Sequence, residues 1–211
     1  MSREIHVRFC ERLEGRFLRA TRLVVMCESA LACEEAQGRI EHVLGRLGLT
    51  LHPDKTRRVD LTQGAQGFDF LGCHLHKRMS GRLWEHKGLK RYYLQRWPSQ
   101  KATNRVRERV RELTPRAWCH REMRSVIAEL NPVLRGWGQY FRTGNAANQF
   151  GDVDGYVVQR LRKLRVARAG RHLRAGQTQR WDRDYFESLG LHRLRGTIRY
   201  PGKPPGNGRA A

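Results

Sequence analysis

The spacing of apolar and polar residues changes near Pro98. From there to residue 168, apolar residues recur every three or four positions, which is typical of helices with one buried face. Four groups of apolar positions show this spacing: Ala102, Val106, Val110 and Leu113; Met123, Val126, Ile127 and Leu130; Val133, Leu134, Trp137, Tyr140 and Phe141; Val153, Tyr156, Val157, Leu161 and Leu164. They predict four helices. Asparagine favours helix caps and proline favours first turns, so Asn131 and Pro132 predict a corner between the second and third helices.

The sequence before Pro98 begins its readable pattern with a strand and a helix. Leu23 to Cys27 is a short apolar run, which predicts a buried strand. Ser29 is a residue type that caps helices, and Gly48 suits the left-handed residue that ends one. The apolar positions between them keep helical spacing: Ala32, Ala36, Ile40, Val43, Leu44 and Leu47. A strand-then-helix unit is therefore predicted.

Three further strand candidates follow. Arg57 to Leu61 and Phe68 to His76 are joined by the glycine-containing loop 62–67, which predicts a hairpin. Tyr92 to Gln95 predicts another short strand. The fold class expected from all these elements is α+β, with one part at 1–96, a helical part at 97–168 and a basic tail at 169–211. The tail lacks clear periodicity from Gly170 onward, and we expect its end to be disordered unless bound.

The charge of the chain indicates a polyanionic partner. Lys and Arg number 42 against 20 Asp and Glu, which gives +22. Residues 1–90 carry 16 basic and 11 acidic side chains (+5), whereas 91–211 carry 26 and 9 (+17), so binding is expected in the second half. No run of eighteen apolar residues and no leader-like segment is visible, from which a cytoplasmic protein is expected.

The cysteines and histidines give little support for a metal or a disulfide. The five cysteines form no CxxC pair, and an odd number favours reduced thiols. Cys73, His74 and His76 lie close in sequence, but alternation along a strand points Cys73 away from the two histidines. We therefore predict no metal site and no cofactor.

Aromatic and basic residues in the helical part are the candidates for contacts with a nucleic acid. Trp137, Tyr140 and Phe141 could stack on bases, but they share a helix face with Val133 and Leu134, which favours a core position. The basic residues are better candidates, because guanidinium groups suit phosphates. The predicted RNA-binding residues are Arg135, Arg142, Arg160, Arg162, Lys163, Arg165, Arg168 and Arg171.

Three segments together resemble the reverse transcriptase and maturase proteins of group II introns. They are LGLTLHPDKTRRVDL at 47–61, GFDFLGCHL at 67–75 and LNPVLRGWGQYFRTGN at 130–145, and they occur in the family's order. The resemblance runs from about Leu23 to about Leu164. It implies the last part of a polymerase palm, followed by a thumb and the maturase (X) domain, which grips intron RNA and helps it to fold for splicing.

The chain departs from this family at the polymerase centre. Directly before Leu23 the family would have Tyr-Ala-Asp-Asp, whose carboxylates hold divalent metals, but here Arg19, Ala20, Thr21 and Arg22 stand there. Two-metal nucleotidyl transfer needs those carboxylates, since arginine and threonine offer no anionic oxygen. The family's fingers and its earlier metal-binding aspartate would lie upstream of Met1. We therefore expect a truncated relative without polymerase activity and with no catalytic residues.

The expected function is RNA binding that assists group II intron splicing, with intron RNA as the partner. Nonspecific DNA binding, and self-association through an incomplete palm sheet, are further expectations. Two alternatives stay open. The chain could be the C-terminal part of a split reverse transcriptase that needs a separate active-site half, or a decayed protein that binds nucleic acids without selectivity.

Overall fold

A computed structural model describes residues 6–10, 13–14, 23–53, 56–79, 92–170, 173 and 176–199, of which 6–10 and 13–14 are described by backbone alone. The strands are β1 His6–Cys10, β2 Leu13–Glu14, β3 Leu23–Cys27, β4 Thr50–Leu51, β5 Thr56–Asp60, β6 Gly67–Phe70, β7 Cys73–Met79 and β8 Tyr92–Pro98. The helices are α1 Ala30–Arg46, α2 Gln100–Glu112, α3 Met123–Phe141, α4 Ala147–Ala169 and α5 Arg183–Ser188. The fold is α+β, as predicted.

The chain divides into two compact units. The first comprises Met1–Phe68 and Leu75–Gln95, and the second comprises Asp69–His74 and Arg96–Ala211. The three-part division predicted from the sequence stays a prediction.

The first unit contains the predicted strand and helix, but the prediction that the strand is buried is wrong, because Leu23 and Met26 are 44% and 53% exposed. β3 pairs antiparallel with β1, which also pairs antiparallel with β5, so the strand order is β3-β1-β5. Helix α1 begins as predicted, because the hydroxyl of Ser29 accepts a hydrogen bond from the amide of Ala32 at 3.1 Å. Gly48 follows the helix with a φ of 66°, a left-handed conformation that glycine adopts without strain.

The predicted hairpin is wrong. β5 bonds to β1, whereas β6, β7 and β8 form a second three-stranded sheet in that order. A 3₁₀ turn at Thr62–Gly64, with Gln63 at a φ of 51°, leads the chain away from β5. Leu71 and Gly72 have φ values of 48° and 78°, so the predicted strand Phe68 to His76 is broken into β6 and β7. The predicted strand at Tyr92 to Gln95 is confirmed and continues to Pro98 as β8.

The second unit is built around the helical stripes that the sequence predicted. The apolar positions of α2, α3 and α4 form one core, and its most completely buried side chains include Val110, Val126, Ile127, Leu130, Leu134, Phe150, Val153 and Leu161. Ser99 caps α2 by accepting a hydrogen bond from the amide of Ala102 at 3.2 Å.

The predicted corner at Asn131 and Pro132 is wrong, because α3 runs unbroken from Met123 to Phe141. An internal proline costs a helix about 3 kcal/mol, since it cannot donate to the preceding turn. Leu130 and Leu134 flank it and are fully buried, and burying one leucine contributes about 1.5–3 kcal/mol, which offsets that cost. Asn131 does not cap a helix. Its side-chain nitrogen donates to the backbone carbonyl of Gly190 at 2.8 Å, and its side-chain oxygen accepts from the backbone amide of His192 at 2.8 Å.

Residues 176–199 contain short elements that the sequence did not predict. The predicted last helix is α4, but α5 follows it, capped by Asp182, whose carboxylate accepts from the amide of Tyr185 at 2.9 Å. Phe186, Leu191 and Leu194 are buried in the core of the second unit. The predicted fourth helix is confirmed, and α5 is an addition that the pattern did not predict, because a helix of six residues is too short to show a period. The predicted disordered end from residue 200 lies outside the described residues.

Gly144, in the connection between α3 and α4, provides a test of this packing. A β-carbon there would lie 2.5 Å from the backbone oxygen of Arg96, which already accepts a hydrogen bond from the amide of Asn145 at 2.7 Å. We expect Gly144→Ala to lower the free energy of unfolding by about 1–3 kcal/mol in urea titration, because the backbone must shift. Gly136→Ala is the control. Apart from its own chain neighbours and the adjacent helix backbone, no atom lies within 4 Å of the added β-carbon, so this change should be neutral or stabilise α3 by up to about 1 kcal/mol. Equal effects of the two changes would refute this explanation.

Candidate nucleic-acid interface

The basic residues of α4 are all in its C-terminal half. The acidic residues Asp152 and Asp154 lie in the first half, and the basic ones follow: Arg160, Arg162, Lys163, Arg165 and Arg168. Positive charge near a helix C-terminus is favoured by the helix dipole, so part of this pattern stabilises the helix itself. The buried positions Val157, Leu161 and Leu164 hold the other face of this half in the core.

Arg160 is held in place by Thr114. Its Nε donates to the threonine hydroxyl at 3.0 Å and its Nη2 donates to the threonine carbonyl at 2.5 Å. Thr114 is 1% exposed, and its hydroxyl in turn donates to the carbonyl of Val110 at 2.7 Å. The Arg160 guanidinium is therefore oriented by the fold, and its other N–H groups are not used by these two bonds.

Arg162 and Arg165 support the segment that follows α4. The Nε of Arg162 donates to the carbonyl of Trp181 at 3.0 Å. The guanidinium of Arg165 lies over the rings of Trp181 and Tyr185, at 5.3 and 5.8 Å from their centroids. Both arginines are half-buried. Their contacts stabilise the domain whether or not a nucleic acid is bound.

A cleft of about 580 Å³ opens beside the basic half of α4. We call it the α4 cleft, and its lining consists of Thr114, Arg116, Gln159, Arg160, Arg162, Lys163, Leu164, Val166, Ala167 and Thr178. No acidic residue occurs among these, and the carboxylate of Asp152 lines the adjoining cleft instead. A second, more open cleft of about 630 Å³ shares Gln159 and Arg162 with it and adds Arg107 and Tyr156.

The predicted RNA-binding residues are only partly brought together. Three of them, Arg160, Arg162 and Lys163, line the α4 cleft, and Arg168 is exposed further along the helix. Arg135 and Arg142 lie on or after α3 and are not part of the cleft lining. The backbone carbonyl of Arg142 accepts from the amide of Arg199 at 2.7 Å. Arg171 lies outside the described residues, and RNA contact by all eight stays a prediction.

The aromatic residues divide between core and surface. Trp137 packs on Phe141 and Phe150, with ring centroids 5.0 and 5.3 Å apart, so the predicted core position is confirmed for Trp137 and Phe141. The prediction is wrong for Tyr140, which is 58% exposed. Its hydroxyl donates to the carbonyl of Leu71 at 2.9 Å, a bond that a tyrosine at the edge of the core can make.

The histidines near Cys73 make hydrogen bonds within the protein. His74 lies 2.6 Å from a carboxylate oxygen of Asp69, and His76 lies 3.1 Å from the carbonyl of Gly64. Within the described part of the chain, no three His, Cys, Asp or Glu side chains are grouped so that they could hold a metal ion. Arg19 to Arg22, the segment that departs from the family's metal-binding motif, lies outside the described residues.

Comparison with known families identifies the segment that carries the α4 cleft. Residues 103–186 match the model of the family described as group II intron, maturase-specific domain. Over these residues the chain is similar to a group II intron maturase-specific domain, and we refer to residues 103–186 as the maturase-specific domain. The resemblance read from the sequence is thus confirmed for this segment, and a domain of this kind implies an intron RNA as partner. No curated protein was found to match the chain. Of the helices in the described ranges, none is long and apolar enough to cross a membrane.

Several residues of the cleft in the maturase-specific domain were not predicted from the sequence. Arg116 begins a short 3₁₀ segment, Arg116–His120, and Thr114 lies just before it. The apolar residues there do not repeat at a helical spacing. Gln159 and Thr178 are uncharged and carry no recognisable motif. Only the charge of Arg116 could have indicated a binding residue, because residues 103–186 carry 18 basic and 8 acidic side chains (+10).

His192, in the segment 187–199 that follows the maturase-specific domain, makes the stability of the second unit depend on pH. Burial lowers the pKa of His192 from its ordinary value, and the positive charge of Arg135 lowers it further, while Asp154 acts in the opposite direction. The folded state therefore favours neutral His192. Stability from this residue is complete above its unfolded pKa of about 6.5 and is lost as the pH falls below it.

We expect the wild-type protein to lose more stability between pH 7 and pH 5 than His192→Gln does, as measured by thermal unfolding. The substitution keeps the backbone amide that donates to Asn131. His120→Gln, at an exposed histidine, is the control and should follow the wild type. Identical pH profiles for wild type and His192→Gln would rule out this role.

Proposed function

We propose that this protein binds group II intron RNA through the α4 cleft and assists splicing without acting as a polymerase. The observation that carries the proposal is the grouping of Arg116, Arg160 and Lys163 around one cleft of a maturase-specific domain. Clustered cations of this kind supply affinity for a phosphate backbone, and structured RNA is selected largely by its shape.

The preorganised Arg160 supports phosphate binding in particular. A free arginine loses side-chain entropy when it is fixed on a ligand, but Arg160 is already fixed by its two bonds to Thr114. Lys163 and Arg116 are exposed and add charge on the same cleft. The cleft therefore combines the fixed guanidinium of Arg160 with the more mobile positive groups of Lys163 and Arg116.

Splicing assistance by this route needs no catalytic group from the protein. The resemblance to the reverse transcriptase family implies that Arg19, Ala20, Thr21 and Arg22 stand at the position of that family's metal-binding carboxylates. We propose that the RNA supplies the chemistry of splicing and that the protein holds the RNA in its reactive fold. The role is thus one of binding and orientation.

Binding of the full chain to a folded group II intron transcript, titrated at several salt concentrations, tests this function. The logarithm of affinity should fall with the logarithm of salt concentration by about 0.7 for each phosphate neutralised on single strands. Duplex DNA of equal length should compete poorly, because its shape differs. An affinity that does not change with salt concentration would argue against the proposal, and so would duplex DNA that competes as well as unlabelled intron RNA.

A further inference from the structure

The α4 cleft has an apolar wall behind its basic rim, which a site for phosphates alone does not need. We infer that this cleft accepts one unpaired nucleotide extruded from the bound RNA, with its base against the wall and its phosphate on the rim. The inference rests on the proposed function and adds the kind of RNA feature that this domain selects.

The wall consists of successive apolar side chains of α4. Leu164 and Ala167 are three residues apart and so lie on one side of the helix, and Val166 lies beside them. Val166 is 36% exposed although it is a large apolar residue. A nucleobase covering Val166 and Ala167 would remove apolar surface from water on both sides, which favours binding.

The rim supplies the charge that a nucleotide requires. Arg160, Lys163 and Arg116 line the cleft together with the wall, and the described lining contains no carboxylate to oppose a phosphate. Gln159 and Thr178 also line the cleft and offer hydrogen-bond donors and acceptors that could meet a base edge. The cleft can thus bind a phosphate on its basic rim and a base on its apolar wall at the same time.

The size of the cleft limits what can enter. About 580 Å³ falls in the range of small-molecule pockets, so a single nucleotide fits and a duplex does not. Paired bases are stacked inside a helix and cannot reach the wall. Bases in bulges and loops can be splayed out, which is how proteins commonly read RNA.

Two hairpin RNAs test the inference with the full chain, one with a single bulged 2-aminopurine and one fully paired with 2-aminopurine in the stem. We expect the wild type to bind the bulged hairpin about tenfold more tightly, which corresponds to about 1.4 kcal/mol. The fluorescence of the bulged 2-aminopurine should rise on binding, because the base leaves its stacked position. An excess of free AMP should not displace the bulged hairpin, since it lacks the flanking phosphates.

Ala167→Leu fills the cleft without changing its charge. We expect this variant to lose the preference for the bulged hairpin, so that it binds the two hairpins with equal affinity. Ala128→Leu, at an exposed alanine of α3, is the matched control and should keep the tenfold preference. Val166→Ser, which shortens the wall instead of filling the cleft, should also reduce the preference and serves if Ala167→Leu does not fold.

The outcomes separate this inference from the proposed function. A wild type that binds both hairpins with equal affinity, or a preference that survives in the folded Ala167→Leu and Val166→Ser variants, overturns the inference and leaves RNA binding intact. Displacement by AMP would show a site for free nucleotides and would also overturn it. A wild type that binds neither these hairpins nor a folded intron contradicts the proposed function as well.

Discussion

Replacing Asp154 with alanine is expected to lower the free energy of unfolding by about 3 kcal/mol. Asp154 lies in α4, is 6% exposed, and accepts hydrogen bonds from the amides of Leu194 at 3.0 Å and Arg195 at 3.1 Å. These bonds hold the 3₁₀ turn Arg195–Thr197 and keep Leu194 fully buried in the core. Without the carboxylate, two amides lose their acceptor, and each such loss costs about 1–3 kcal/mol.

Asp152→Ala is the matched control for this change. Asp152 lies on the same helix two residues earlier and is exposed, so its loss should change stability by no more than about 0.5 kcal/mol. Asp154→Asn retains one carbonyl acceptor and should fall between the two. Urea titration measures the free energy of unfolding of all three variants, with the same dependence of that free energy on urea concentration assumed for each. Equal stability of the Asp154→Ala and Asp152→Ala proteins would show that residues 190–199 are not held as described.

Replacing Lys163 and Arg116 together with glutamine is expected to weaken binding to intron RNA by about ten- to a hundredfold. Both side chains are exposed and line the α4 cleft, so their loss removes charge without removing core contacts. If each neutralises one phosphate, the slope of log affinity against log salt should become shallower by about 1.4. The measurement is a filter-binding titration at three or more salt concentrations.

Arg39→Gln with Arg46→Gln is the control for total charge. Both arginines are exposed on α1 in the first unit, and their replacement lowers the net charge by the same amount. This pair should leave the affinity within about twofold of the wild type. If both double variants lose affinity and slope to the same degree, the total charge and not the α4 cleft controls binding.

Arg160 is a poor choice for a charge-removal test despite its central position. Its replacement would leave the buried hydroxyl and the carbonyl of Thr114 without their donor, so stability would change together with binding. The same holds for Arg162, which donates to the carbonyl of Trp181. Residues that serve both the fold and a ligand cannot separate the two roles.

Elements with a long apolar period could be predicted from the sequence. The stripes of α2, α3 and α4 repeat over three turns or more, and their buried positions agree with the core. The cap at Ser29 and the left-handed Gly48 were also readable, because each depends on local chemistry alone.

The features that failed depend on contacts between distant residues. Strand pairing is one case, since the sequence around β5 does not show that β1 is its partner. Pro132 is another, because a proline normally signals a helix start and only the burial of Leu130 and Leu134 keeps α3 continuous. Phe186 and Leu194 reach the core as single residues from short elements without a period.

The candidate site was predictable in position but not in detail. A run of basic residues on α4 was visible, and three of them line the cleft. The sequence could not show that Arg160, Arg162 and Arg165 are occupied by intramolecular contacts, because their partners Thr114, Trp181 and Tyr185 lie at least sixteen residues away in sequence. Nor could it show the apolar wall behind the charges, because Val166 and Ala167 are ordinary helix residues.

The splicing rate of group II intron transcripts at limiting Mg²⁺, with and without the full chain, tests the central claim most directly. We predict that the wild-type protein accelerates splicing of at least one transcript that it binds, and that the variant with glutamine at Lys163 and Arg116 accelerates it much less. The Arg39 and Arg46 control pair should behave as the wild type. An unchanged splicing rate for every transcript that the protein binds would contradict the claim.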